Sequence, residues 1–375
     1  MNLGSVLKNV KTPCYVIDEA RLVRNLEILR RLEERTGCRV LLAQKAFSMY
    51  SLYPLIRKYV SGTAASGLYE ARLGREEMGG EVHVFSPAYS ESDFAELAGI
   101  CGHIVFNSFG QWEKFKGSVP AGVSAGLRVN PEYSTQDKAI YDPCAPFSRL
   151  GATAESVRGK DLSGIEGLHF HALCEQNADA LEATFSAVTE KFGYLFPYLK
   201  WINFGGGHHI TKEGYDLPLL EKCVKKARGY GLAVYLEPGE AFALDAGYLA
   251  AEVLDVVHNG MDIAILDASA ACHMPDVIEA PYRPEIAGAG KAGEKAYTCR
   301  LGGNTCLAGD IIGDYSFDEA PKPGDRVIFL DMAIYTMVKN NTFNGTPLPD
   351  IAVLRENGVV ETVKRFGYGD FKNRL

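Results

Sequence analysis

Five short stretches of this chain carry residues of the right type and spacing to do chemistry. Lys45 closes an apolar, strand-like run, Val40-Leu41-Leu42-Ala43-Gln44-Lys45-Ala46. His169-Phe170-His171 closes a second run, Gly205-Gly206-Gly207 follows a third, and Glu237-Pro238-Gly239-Glu240 closes a fourth. Cys306 stands in a polar, glycine-rich loop, Gly302-Gly303-Asn304-Thr305-Cys306-Leu307-Ala308-Gly309-Asp310. A lysine amine can form a Schiff base with a carbonyl compound or with pyridoxal phosphate. Consecutive glycines offer bare backbone amides to a phosphate. A carboxylate ending an apolar run needs a partner, and a pyridinium nitrogen is one. A loop cysteine near an acid can donate a proton. Each has a plainer reading: a tight turn for the glycines, a salt bridge for Glu237, satisfied core residues for the histidines, and one of nine ordinary cysteines for Cys306. His169 and His171, two apart on a strand, share a face and read either as a metal pair or as a histidine beside a cofactor.

What must position them is a set of alternating strands and helices. Strand-like runs fall at 39–46, 62–67, 81–87, 103–108, 124–130, 164–172, 201–205 and 232–237. Amphipathic segments lie among them, including Ala20–Arg35, Tyr69–Met78, Ser90–Ala98, Gln111–Lys116, Ala178–Gly193 and Leu217–Gly231. Eight strand–helix units over about 220 residues predict a (β/α)8 barrel. An open doubly wound sheet is the alternative, though it more often carries its glycine-rich turn after the first strand. In a barrel, Lys45, His171, Gly205–Gly207 and Glu237 meet at the C-terminal rim, where barrel enzymes work. Beyond residue 243 strand patterns dominate, and Asn259-Gly260 and Asn357-Gly358 each sit between two such runs as hairpin signals. The opening Thr12–Asp18 run is also strand-like. The chain therefore reads as an α/β barrel over 19–242, plus an all-β domain made of 1–18 with 243–375.

Bulk properties narrow the function. The 375 residues are 47% hydrophobic and 23% charged, so the chain is an ordinary globular one. A net charge of -8 argues against nucleic acid and anionic membranes as partners and suits a cationic substrate. The N-terminus lacks the apolar core of a secretory signal, and the cysteines form no CxxC pair, so we expect reduced thiols and a cytoplasmic protein.

In their order along the chain, Lys45, His171, Gly205-Gly206-Gly207, Glu237-Pro238-Gly239, Cys306, Tyr335-Thr336 and Phe343-Asn344-Gly345 resemble the fold-type III pyridoxal-phosphate decarboxylases. The resemblance runs from Pro13 to about Tyr368. Asp267 to Asp276, Pro281-Tyr282-Arg283-Pro284 and Phe204-Gly205-Gly206-Gly207-His208-His209 resemble the carboxynorspermidine/carboxyspermidine decarboxylase family within that group. The resemblance implies roles. Lys45 would carry pyridoxal phosphate, His171 would stack on its ring, and Glu237 would pair with the ring nitrogen. Gly205, Gly206, Gly207 and Tyr335 would hold the phosphate. Cys306 would reach across a homodimer interface with shared active sites and deliver a proton. No metal is implied.

Two departures from the wider group bear on substrate. Glu240 stands where the relatives usually have an arginine, and Leu307 stands where ornithine and diaminopimelate enzymes usually have an acid. A longer, carboxylated triamine needs carboxylates elsewhere, and Glu240, Asp276 and Asp310 are the expected ones. Diaminopimelate decarboxylase is the nearest alternative, weakened by both departures. A metal amidohydrolase has the opposite order of His-x-His and lysine. An alanine racemase would lack the cysteine loop, and binding proteins that have lost the cofactor would not keep the lysine, the glycines and the cysteine together.

Overall fold

The computed structural model describes residues 3–375, in two compact units: residues up to Val23 together with Ala243–Leu375, and Arg24–Phe242. In the second unit all eight expected runs are strands: β2 (Arg39–Ala43), β3 (Gly62–Ala65), β4 (Glu81–Phe85), β5 (His103–Phe106), β6 (Ser124–Arg128), β7 (Ile165–His169), β8 (Trp201–Asn203) and β9 (Ala233–Leu236). They pair in parallel and close into a barrel, with Arg39 of β2 opposite Tyr235 of β9. Helices such as Glu91–Ile100, Ala178–Phe192 and Leu217–Gly229 connect them. Side chains cap these helices: Ser90 accepts from the Asp93 amide, and Asp216 from the Leu219 amide. The 68–78 segment turns from a helix (Leu68–Leu73) into a wider π turn (Gly74–Met78).

The strands are shorter than their apolar runs because the chain peels away at the C-terminal rim. Lys45 lies two residues beyond β2, in a turn closed by the Ala46 amide donating to the Ala43 carbonyl at 3.0 Å. A plug of large rings fills the barrel beneath. Trp201 lies across β6 and β7, and a Cβ on Gly167 would come within 2.0 Å of the indole, so glycine is required there. His83, His103, Trp201 and Tyr235 pack on one another, with the two imidazoles stacked at 3.9 Å.

The other unit is one nine-stranded sheet. Its strands are β1 (Cys14–Asp18), β10 (Gly247–His258), β11 (Asp262–Leu266), β12 (Gly290–Lys291), β13 (Tyr297–Gly302), β14 (Ile311–Phe317), β15 (Arg326–Leu330), β16 (Asp350–Leu354) and β17 (Val360–Lys364). Both Asn-Gly pairs turn antiparallel hairpins, β10–β11 and β16–β17. The N-terminal strand β1 lies between β10 and β16, antiparallel to the first and parallel to the second. Sequence reading missed β12 and β14. No helix among the described residues is long and apolar enough to cross a membrane.

Candidate active site

The barrel's register sets the floor of the site. Arg128 of β6 pairs with His169 of β7, and His169 pairs with Asn203 of β8, so three polar residues form one row at the strand ends. On the opposite side of the mouth Ala43, Ala64, Ala65 and Ser66 are small and leave a cavity of about 200 Å³, also lined by Lys45, Arg128, His169, His171 and Glu237.

Glu237 follows β9 directly and is the most constrained group there. Its Oε1 accepts from the Asn203 amide at 2.7 Å, and its Oε2 lies 3.1 Å from His169 Nε2. Burial alone would raise its pKa, but the histidines His169 and His83 and the Asn203 bond outweigh it and hold the carboxyl down at about 2. His169 is pushed down by burial, against the pull of Glu237. The network therefore assigns a carboxylate accepting from the Nε2–H of a neutral imidazole. The His169 Nδ1 has no partner among the described residues. Arg128 sits over the Phe85 ring at 4.4 Å, and Phe85 stacks on His169 at 5.6 Å.

Lys45 keeps solvent-accessible surface, yet it lines the enclosed barrel mouth. Loss of hydration there, reinforced by the Arg128 charge and opposed by Glu237, lowers its pKa. A lowered lysine pKa raises the fraction present as nucleophilic amine. His171 lies two residues past β7. Its Nδ1 accepts from the Gly206 amide at 2.6 Å and its carbonyl accepts from Arg128 at 3.0 Å, which fixes the ring as a neutral imidazole protonated on Nε2. Burial, then the Lys45 and Arg128 charges, push its pKa well below 6.5.

The glycine turn is held close to its neighbours. Gly205 and Gly207 adopt φ of 68° and 81°, and a Cβ on Gly206 would come within 2.4 Å of the Glu237 carbonyl oxygen. Two of its amides are used inside the chain, Gly205 on Asn203 Oδ1 and Gly206 on His171. The residues present fit pyridoxal phosphate: an amine of lowered pKa and a dedicated carboxylate share one cavity, and a side-chain-free turn adjoins it. His169 is engaged by Glu237 through Nε2 and His171 by the Gly206 amide through Nδ1. The described residues hold two groups of metal-capable side chains, Glu81 with His83 and His103, and Glu175 with His209 and Glu240.

The remaining expected residues lie in four places. Glu240 belongs to the barrel unit, its Oε2 2.9 Å from His209 Nε2. In the sheet unit, Asp276 pairs with Lys339, which also reaches Glu279 at 2.7 Å. Asp310 is buried, and it accepts from the Ser269 hydroxyl (2.8 Å), the Ala271 amide (3.2 Å) and the Thr305 hydroxyl (2.7 Å). These neutral donors tie the Asp310 carboxylate to the loop before β14. Cys306 in the same loop is exposed, whereas the other eight cysteines are buried or half-buried. Its thiol donates to Asn344 Oδ1 at 3.1 Å. Tyr335 is half-buried, with φ of 56°. Sequence reading missed Arg128, Asn203 and Phe85, although a polar residue closing an apolar run, the signal that picked out Lys45, was present at Arg128 and Asn203.

Known proteins match this arrangement over most of its length. The family model described as pyridoxal-dependent decarboxylase, C-terminal sheet domain, matches residues 14–333. The carboxynorspermidine/carboxyspermidine decarboxylase of Campylobacter jejuni is 44% identical over 98% of this chain and 99% of its own. The carboxyaminopropylagmatine decarboxylase of Synechocystis is 43% identical over 98% of this chain and 96% of its own. The crystal structure of carboxynorspermidine decarboxylase complexed with norspermidine from Campylobacter jejuni superposes with a TM-score of 0.92 at 42% identity, covering 98% of this chain and 100% of that one. With Lys45 and Glu237 in one barrel-mouth cavity and a separate sheet unit, the chain belongs to the pyridoxal-dependent decarboxylases.

Proposed function

We propose that this chain decarboxylates a carboxylated triamine, carboxynorspermidine or carboxyspermidine, to norspermidine or spermidine in polyamine biosynthesis. It does so as a cytoplasmic homodimer. The observation that carries the chemistry is the cavity shared by Lys45, with its lowered pKa, and the ionised Glu237. Lys45 holds pyridoxal phosphate, Glu237 partners the ring nitrogen, and His171 packs on the ring. Gly205, Gly206, Gly207 and Tyr335 serve the phosphate. When bound, this cofactor supplies a sink for the electron pair left on the α-carbon as carbon dioxide departs. Arg128 and Phe85 brace His169, which keeps Glu237 oriented and charged.

The relatives at 43–44% identity support the substrate class, since both act on an amino-acid head extended through a further amine into a cationic chain. The test is carbon dioxide release by the purified protein from both triamines, carboxyaminopropylagmatine, diaminopimelate and ornithine. Triamines are expected to lead. The two triamines differ by one methylene, a difference of about 1–3 kcal/mol at most. Preference for diaminopimelate or ornithine would overturn the assignment, and preference for the agmatine derivative would move the substrate to a guanidinium-ended chain. Glu240→Gln should raise KM for the triamine by about 30-fold or more, the effect of stripping one member from an enclosed charge pair. Asp276→Asn should raise it less, because Lys339 already shares that carboxylate. Unchanged KM in both variants would remove these acids from the substrate site.

We further propose that Cys306 delivers a proton from Sγ to the α-carbon in the partner subunit's site. Its exposed thiol and its hold on Asn344 support this role. Mixing inactive Lys45→Ala with inactive Cys306→Ala subunits should restore activity, because a mixed dimer has one complete site. Mixed dimers that form and stay inactive would place Cys306 outside the partner's chemistry.

A further inference from the structure

Beside the glycine turn lies a cluster that neither the sequence reading nor the roles above use in full. The segment after β7 is laced to the turn after β8: the Gln176 amide donates to the Gly207 carbonyl at 3.0 Å, and the His209 amide donates to the Gln176 carbonyl at 3.2 Å. This lacing sets Glu175 next to His209 and Glu240. Their ligand-capable atoms all lie within 4.8 Å of one another. His209 is 6% exposed, its Nε2 is on Glu240, and its Nδ1 has no partner among the described residues. Among those residues, neither Glu175 nor Glu240 forms an ion pair with a lysine or arginine. Glu175 keeps exposed surface, yet its carboxyl faces Glu240, and enclosure together with that neighbour raises its pKa. Cys174, the residue before it, lies against the glycine turn: a Cβ on Gly207 would meet the Cys174 amide nitrogen at 2.8 Å.

Two carboxylates in contact, with no lysine or arginine in ion-pair contact with either among the described residues and Lys212 acting on Glu175 from farther off, favour a bound cation between them. We propose that Glu175 and Glu240 together bind the substrate's secondary ammonium, the cation nearest the amino-acid head, with His209 fixing the orientation of Glu240. The inference rests on the triamine reading and adds a residue to it. A secondary ammonium has two N–H donors, one for each carboxylate. The cluster's place on the cofactor side, next to Cys174 and the glycine turn, suits the inner amine rather than the outer one.

The experiment compares wild-type and Glu175→Gln holoenzymes on carboxynorspermidine and on the analogue with a methylene in place of the secondary NH. Wild type is expected to show about tenfold higher KM for the methylene analogue, the scale of one charged hydrogen bond. Glu175→Gln should raise KM for the triamine about tenfold with kcat nearly unchanged, and should distinguish the two compounds less than wild type does, because Glu240 keeps one of the two contacts. Glu175→Asp should recover part of the discrimination. Wild-type KM and wild-type discrimination in Glu175→Gln, with the triamine still turned over, would overturn the inference and leave the function standing. A wild type that does not turn over the triamine would fail the functional reading and take the inference with it. Zinc binding to wild type at one equivalent, lost in Glu175→Gln, would reassign the cluster to a metal and overturn the ammonium site.

Discussion

Lys45→Ala is expected to abolish covalent attachment of pyridoxal phosphate and to lower turnover roughly a thousandfold or more, the scale of losing a positioned nucleophile and proton-transfer group. Borohydride reduction of the wild-type holoenzyme should fix the cofactor on the peptide containing Lys45. The reason lies in where this amine sits. Lys45 lies in a tight turn past β2, in a cavity with Arg128, and both lost hydration and that charge lower its pKa. Lysines on the outer surface keep a hydrated ammonium. A label on another lysine, or full turnover by Lys45→Ala, would remove the amine from its role and with it the reading of the cavity.

Glu237→Gln is expected to keep the barrel, retain much of the cofactor binding and lose most decarboxylation, by about 10²-fold or more. The amide preserves size but not charge, so it does not hold a ring nitrogen protonated. Spectra of the bound cofactor and carbon dioxide release together separate this from simple unfolding. Near-normal turnover in a well-folded variant would sink the assignment. The variant also carries a stability signature. Glu237 is held at about 2, below the ordinary value of 4.5, so its contribution to folding is complete above about pH 4.5 and is lost as pH falls through 2. The gap in unfolding free energy between wild type and variant should therefore be flat at neutral pH and close on acidification.

Much of the barrel is legible in the sequence because each of its strands is buried on both faces and reads as a continuous apolar run bounded by turns. Strand β14 is not legible: Ile311-Ile312-Gly313-Asp314-Tyr315-Ser316-Phe317 is broken by a glycine and an aspartate, and its pairing with β13 is irregular at Leu301 and Gly302. For the site, residue type and rim position are enough to find Lys45, His171 and Glu237. They do not show which carboxylates are already taken. Asp310 and Glu240 look alike as acids near glycines, yet one accepts from several neutral donors and the other leans on a single histidine and faces a second acid. That difference depends on partners contributed from distant positions, Ser269 for Asp310 and Glu175 for Glu240. Glu175 drew no notice in sequence because nothing in the Leu173-Cys174-Glu175-Gln176 stretch signals that it will lie against residues 207–209.

The position of β1 bears on how the protein is made. Residues 14–18 precede every other strand in the chain, but their two neighbours in the sheet, β10 and β16, begin at Gly247 and Asp350. At translation rates of about 5–20 residues per second, β1 waits on the order of ten seconds to a minute with both hydrogen-bonding edges unpaired. The barrel strands, which come between, can close on one another during that interval. A nascent chain stalled before Gly247 would thus present an apolar strand with nowhere to dock, a natural target for chaperones. Deleting the first eighteen residues would likewise remove an inner strand of the sheet rather than trim a tail.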